Sequence, residues 1–316
     1  MTTRAFWISA AVVAAVGAAV TMTDAIQNKF WFFAGYVVLQ YIVLATAWNI
    51  MGGYMGYVNF GSAAFFAAGA YTTVVLHKLA GAPLPVMIAS AGVVCGLIGL
   101  VTGYLTLRLR GVFFAIATLA LAVVMETLVT NWKYVGGASG YYILQPAQTP
   151  VFGDYVKMLF FVMLLMAVAA VAAARWIERS RIGRGLAAIR DDELAAECMA
   201  VPTLRLKLIA TTVSGFFMGI AGAPFALYLG YVEPVSAFNL NYAVNAIAMP
   251  MIGGATTWIG PLIGAILLGT VQQAATVMIS SELNLLIVGV LLVLFVIAAP
   301  DGIVGLVRGG RRGRRT

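Results

Sequence analysis

Ten apolar stretches of roughly membrane-crossing length follow one another along this chain, and that succession leaves few folds open to it. They fall near residues 5–22, 30–51, 57–76, 84–107, 111–131, 156–174, 208–230, 240–257, 259–280 and 284–300. A helix needs roughly 20 mostly apolar residues to cross the hydrocarbon of a bilayer. Composition argues against a water-soluble alternative. Of the 316 residues, 62% are hydrophobic and 9% charged, which leaves too little polar surface to cover a soluble core. The expected fold is an all-α, polytopic transmembrane helical bundle of about ten membrane segments. Two stretches carry breaking or polar residues: Gly61, Ser62 and Gly69 in 57–76, and Asn241, Asn245 and Pro250 in 240–257. One or both are expected to be broken or re-entrant, which is tolerated only where protein or water surrounds the exposed backbone.

Charge placement tests this count. With the N-terminus inside and all ten stretches crossing, the inner segments hold Arg4, Arg108, Arg110, Arg175, Arg179, Arg181, Arg184, Arg190, Arg205, Lys207 and the arginines of the C-terminal tail. The outer segments hold only Lys29, Lys78, Lys133 and Lys157. This is the positive-inside pattern, and it places both termini in the cytoplasm. The net charge of +8 then reflects topology and anionic lipid headgroups, and nucleic acid is not an expected partner. Arg4 ahead of an apolar run resembles a signal peptide. The following AAVTMTDA offers no small-x-small cleavage site, so a retained first helix is expected. Cys95 and Cys198 are too few and too far apart for a disulfide framework.

Four segments follow: an N-terminal transmembrane half (1–175), a cytoplasmic loop (176–207), a C-terminal transmembrane half (208–307) and a basic, lipid-facing tail (308–316). The loop is the only inner segment long enough for structure of its own. Gly183 and Gly185 punctuate its start and Pro202 its end. Asp191 or Asp192 is positioned to cap a short amphipathic helix running through Leu194 to Ala200. Such a helix is marginal alone and needs a surface to lie on.

The string ERSRIGRGLAAIRDDELAAECMAVPTLRLKL (178–208) resembles the coupling loop of the membrane permease subunits of ABC importers for branched-chain amino acids. Glu193, Ala195, Ala196 and Glu197 are similar to that family's Glu-Ala-Ala region. Four further strings resemble the family in its order: WNIMGGYMGYVNFGSAAFFAAGAYT (48–72), LRLRGVFFAIATLALAVV (107–124), NWKYVGGASG (131–140) and MIGGATTWIGPLIGAILL (251–268). The chain departs from the family pattern at Ala200, where glycine is usual, and at Val123 and Glu126, where an acidic and a basic residue are usual.

The resemblance implies a multi-pass permease in the bacterial inner membrane with three kinds of protein partner. These are cytoplasmic ABC ATPases, a second homologous permease and a periplasmic solute-binding protein. No GxxxxGK[ST] loop occurs in the chain, so it lacks the usual phosphate-cradling sequence of an ATPase. No cofactor or metal is expected. Arg190, Asp191, Asp192, Glu193, Ala195, Ala196 and Glu197 are the candidate ATPase-coupling residues. Lys133, Tyr134, Tyr141 and Glu233 are candidates for docking the binding protein, although tyrosines also collect in ordinary membrane-interface belts. Polar or small residues inside the stretches mark a candidate pathway: Asn59, Gly61, Glu126, Asn245 and Gly253. The alternatives are close helix packing for the amides and glycines, and a carboxylate snorkelling to the outer headgroups for Glu126. An intramembrane enzyme would need grouped Ser/His, paired Asp or metal ligands, and one histidine, His77, offers none of these. An ion-coupled secondary transporter is the remaining competitor, with Glu126 as its sole intramembrane ionisable group.

Overall fold

The computed structural model describes residues 3–22, 28–106, 109, 111–143, 148–149, 153–278, 283–298 and 302–306. The tail 308–316, the loop arginines Arg108 and Arg110, and the acids Asp24 and Glu282 lie outside the described residues. Among the described residues, seven helices are long and apolar enough to cross a membrane: α1 (Thr3–Met22), α2 (Lys29–Met55), α3 (Ser62–Ala80), α4 (Leu84–Thr106), α5 (Val112–Thr130), α6 (Tyr155–Arg179) and α9 (Thr203–Leu229). Between α6 and α9 lie α7 (Arg181–Asp191) and α8 (Glu193–Cys198). After α9 come α10 (Pro234–Ala237), α11 (Leu240–Gly253), α12 (Gly260–Met278) and α13 (Leu283–Ala298).

Helix α2 is the axis of the bundle. Every residue from Ile42 to Met51 is buried, as expected of a helix that is apolar on all sides and surrounded by others. Helices α6, α9, α11 and α12 pack around it. A second block is built from α3, α4 and α9. In a bilayer, helices associate through close packing instead of water exclusion, so small residues line the contacts. The buried face of α4 accordingly reads Ala91, Gly92, Cys95, Gly96, Gly99 and Gly103. A methyl group added at Gly222 of α9 would stand 1.9 Å from the carbonyl oxygen of Phe66 on α3. Helices α1 and α5 bury least and turn most of their apolar side chains outward.

The two stretches expected to be broken or re-entrant differ. The stretch 57–76 is not broken: α3 runs unbroken through Gly69, whose missing side chain lets α9 approach, since a methyl there would meet the carbonyl of Gly219 at 2.1 Å. The irregular backbone is confined to residues 56–61 ahead of it. The stretch 240–257 does stop short. Helix α11 has 14 residues with Pro250 inside it and ends before Gly254, and about 21 Å of helix falls short of hydrocarbon roughly 30 Å thick.

The strands are short. Strand β1 (Tyr141–Tyr142) pairs antiparallel with β4 (Tyr231–Val232), and β2 (Gln148–Thr149) pairs with β3 (Gly153–Asp154). Helix α9 spans about 40 Å from its start beside α8 to β4, so the α7–α8 elbow and the β1–β4 pair occupy opposite ends of the bundle.

Candidate functional site

The elbow is fixed by local chemistry at each of its joints. At the end of α6, Ser180 Oγ accepts from Ile182 N (3.1 Å) and Gly183 N (3.3 Å) and caps α7. Leu186 and Ile189 are buried beneath α7. Asp192 breaks the helix, and its Oδ1 accepts from Leu194 N (2.9 Å) and Ala195 N (3.0 Å) to start α8. The expected acidic cap is therefore present, but the segment forms two helices, and α7 was not foreseen. Helix α8 closes with the paired bonds Ala200 N to Glu197 O and Val201 N to Ala196 O, both 3.0 Å. That motif places its penultimate residue in the left-handed region, usually as glycine. Here Ala200 takes it at φ 59°.

Three groups of contacts anchor the elbow to the bundle. Lys207 Nζ, 3% exposed, pairs with Glu193 and donates to Tyr57 Oη at 2.8 Å, while Tyr57 Oη donates to Glu193 Oε2. Arg190 Nη1 donates to Gly53 O at the end of α2 (3.2 Å) and also pairs with Asp191. Thr203 Oγ1 donates to Glu197 Oε1 (2.9 Å). Of the seven expected coupling residues, Glu193 and Ala196 thus face the bundle, Asp192 is a cap, and Arg190 and Glu197 are partly engaged. Asp191, with its side chain 73% exposed, and Ala195 face outward.

The outward surface of α8 is largely apolar: Leu194 is 59% and Met199 80% exposed, with Cys198 and Ala195 between them. Sequence reasoning sought polar contacts and passed over these two large side chains. It also counted Lys207 only by its position, not its partners, and did not single out Glu178. Glu178 Oε2 accepts from Tyr54 Oη (3.3 Å) and Trp258 N (2.5 Å), tying α6 to α2 and to the loop before α12.

The candidate pathway residues do not form one cluster. Asn59 Oδ1 accepts from Gly61 N (2.7 Å), shaping the turn into α3 against Thr118 of α5. Gly253 lies where a methyl would collide with the carbonyl of Gly260, so it permits the tight α11–α12 junction. Glu126 is half-buried on α5, with no ion pair among the described residues. Asn245 is different. Buried to 5% exposure, it donates to Tyr41 Oη (3.3 Å) and accepts from Gln272 Nε2 (2.8 Å), joining α2, α11 and α12 in a polar seam. Gln272 was not foreseen, because an uncharged amide in an apolar stretch gives a weak signal.

At the opposite end, the strand pairing sets Tyr141 against Val232, the neighbour of Glu233. Lys78 Nζ donates to Tyr134 O (2.6 Å) and lies 4.4 Å over the Tyr134 ring. Lys133 is exposed, and Glu233 accepts from Ser236 Oγ (2.8 Å). The four expected docking residues therefore share this end, joined by the exposed Tyr142, whose ring lies 4.4 Å from that of Tyr231. Nearby, the Lys29 ammonium beside Asp154 (2.7 Å) holds that carboxyl below its usual range.

Comparison with known proteins gives a consistent picture. The family described as "Branched-chain amino acid transport system / permease component" matches residues 30–296. High-affinity branched-chain amino acid transport system permease protein LivM of Salmonella typhimurium is 30% identical over 295 residues, covering 85% of this chain and 68% of the relative. Permease protein LivH of the same organism is 25% identical over 44% of each chain. Autoinducer 2 import system permease protein LsrC of Yersinia pestis is 25% identical over 56% of this chain and 52% of its own. No solved structure gives a significant match.

Proposed function

The chain belongs to the permease-component family of branched-chain amino acid transport systems, and we propose that it forms half of the translocation path of an ATP-driven ABC importer in the bacterial inner membrane. A second, related permease supplies the other half. Cytoplasmic ATPases drive it, and a periplasmic binding protein delivers branched-chain amino acids or a similar small solute at the β1–β4 end.

The observation that carries this reading is the build of α8. It turns Leu194 and Met199 outward, an arrangement costly for a mere connector, while Glu193 and Ala196 lock it to the bundle. An apolar tip flanked by Asp191 and Glu197 suits a groove in a partner, with the apolar side chains supplying affinity and the charges register. Motion imposed on α8 reaches α9 through Lys207, the 56–61 turn through Tyr57, and α2 through Arg190. Rigid-body rocking of these helices is the transition such a linkage would transmit.

The test is capture from membranes in mild detergent. ATPase subunits and a second permease should accompany the wild-type chain. Leu194→Glu with Met199→Glu should lose the ATPases and keep the second permease. Equal ATPase recovery from the double variant would refute docking through α8.

A further inference from the structure

At the β1–β4 end, α2, the last turns of α9, α10 and the start of α11 border a partly open cavity of about 370 Å³. Its wall combines phenols and amides: Tyr41, Tyr228 and Tyr242 with Gln40, Asn239 and Asn241. None of the lining residues is charged. The aromatic wall is braced from behind, Tyr228 stacking on Tyr36 at 4.2 Å and Tyr242 lying 4.4 Å from Phe66. Through Tyr41 the wall continues into the Asn245–Gln272 seam at the centre of the bundle. Behind the wall, Gln272 Oε1 in that seam and Tyr36 Oη under Tyr228 are buried with no hydrogen-bond partner among the described residues.

Within a membrane-spanning bundle, polar groups are expected to find partners inside the protein. Here three amides and three phenols, none of them charged, gather along the wall of one cavity. We propose that this cavity is a solute-binding vestibule of the permease itself, selective for small solutes of zero net charge that carry both an apolar part and hydrogen-bonding groups. The inference rests on the transport reading above and adds a second point of discrimination to that of a delivery protein. Aromatic faces accept an apolar chain or an ammonium group, and amides and hydroxyls solvate a carboxylate. A solute with unbalanced charge meets no charged side chain among the described lining residues, the Glu233 carboxylate beside them being held by Ser236 Oγ at 2.8 Å, and burying such a charge is unfavourable. The volume falls in the range of ordinary small-molecule sites.

The assembled importer, carrying Ser236→Cys in a Cys198→Ser background, provides the test. Ser236 lines the cavity, and Cys95 is buried and shielded. A membrane-impermeant maleimide added from outside should modify position 236. Millimolar leucine or glutamine should slow that reaction several-fold, whereas lysine and glutamate should not. In parallel, Asn241→Asp should lower ATP-driven uptake of the neutral solute at least tenfold while assembly and ATP hydrolysis persist. Protection by neither neutral solute, or equal protection by lysine, would overturn the vestibule. Protection by leucine without any ATP-driven uptake in the wild-type assembly would uphold the vestibule and refute the transport reading. Uptake without protection would sink the vestibule alone.

Discussion

Ala200 and the Glu193–Lys207 pair set what single residues contribute at the elbow. The left-handed region costs a residue with a Cβ about 1–2 kcal/mol, and glycine gives back part of that as chain entropy, about 0.5–1 kcal/mol. Ala200→Gly, at φ 59°, is therefore expected to stabilise the elbow by roughly 0.5–1 kcal/mol. Slower proteolysis between residues 181 and 207 in detergent would register it. The ion pair behaves differently, being 3% and 13% exposed at its two side chains. Removing one member leaves a buried charge, so Lys207→Met should cost about 3–5 kcal/mol, whereas Glu193→Leu with Lys207→Met should recover most of it. Thermal unfolding of the three variants measures both. Asp154 gives a pH signature. Its folded pKa lies below the ordinary 3.8 because Lys29 sits beside it, so its stabilisation is complete above 3.8 and fades as pH falls through the folded value. Asp154→Asn should lower the melting temperature equally at pH 7 and 5, with the gap closing below 3.8 and narrowing in high salt, since the Lys29 side chain is 69% exposed. At this scale the sequence was a partial guide. The Asp192 cap followed from spacing alone, but that Glu193 turns inward did not, because its partners Lys207 and Tyr57 are 14 and 136 residues away.

At the scale of elements, hydrophobic length was the reliable signal and small residues the ambiguous one. Residues 57–76 and 240–257 read alike, each with glycine or proline in an apolar run. Only the second is short, because Pro250 and the turn at Gly254 end α11. In α3 the same kind of residue serves packing, and periodicity cannot distinguish a glycine that breaks a helix from one that admits a neighbour. Gly222→Leu should force α9 away from α3, where even a methyl would stand 1.9 Å from Phe66 O. The expected result is loss of assembled protein from the membrane, measured by detergent extraction and size-exclusion chromatography. Helix α7 escaped notice for the opposite reason: Gly183 and Gly185 read as loop residues, yet Gly183 sits against the Ile177 carbonyl, where a methyl would be 2.2 Å away.

Across the whole molecule, the bundle sets the α7–α8 elbow and the β1–β4 pair about 40 Å apart along α9, with a polar seam between them. The positive-inside reading assigns the elbow to the cytoplasm. Cys198 is exposed on α8 and Cys95 is buried, so an impermeant maleimide should label the isolated chain in inside-out vesicles and spare it in right-side-out ones. Labelling in the reverse order would invert the topology. The resemblance carried by 178–208 singled out the elbow in the sequence, whereas the proposed vestibule could not be read there, since it is assembled from α2, α9, α10 and α11. The energy source for transport is the most direct test of a path worked through α8. Proteoliposomes holding the full assembly should accumulate leucine only when ATP is supplied to the ATPase side, and Leu194→Glu with Met199→Glu should abolish that uptake. Accumulation that persists without ATP, driven by an imposed ion gradient and indifferent to the double substitution, would contradict it.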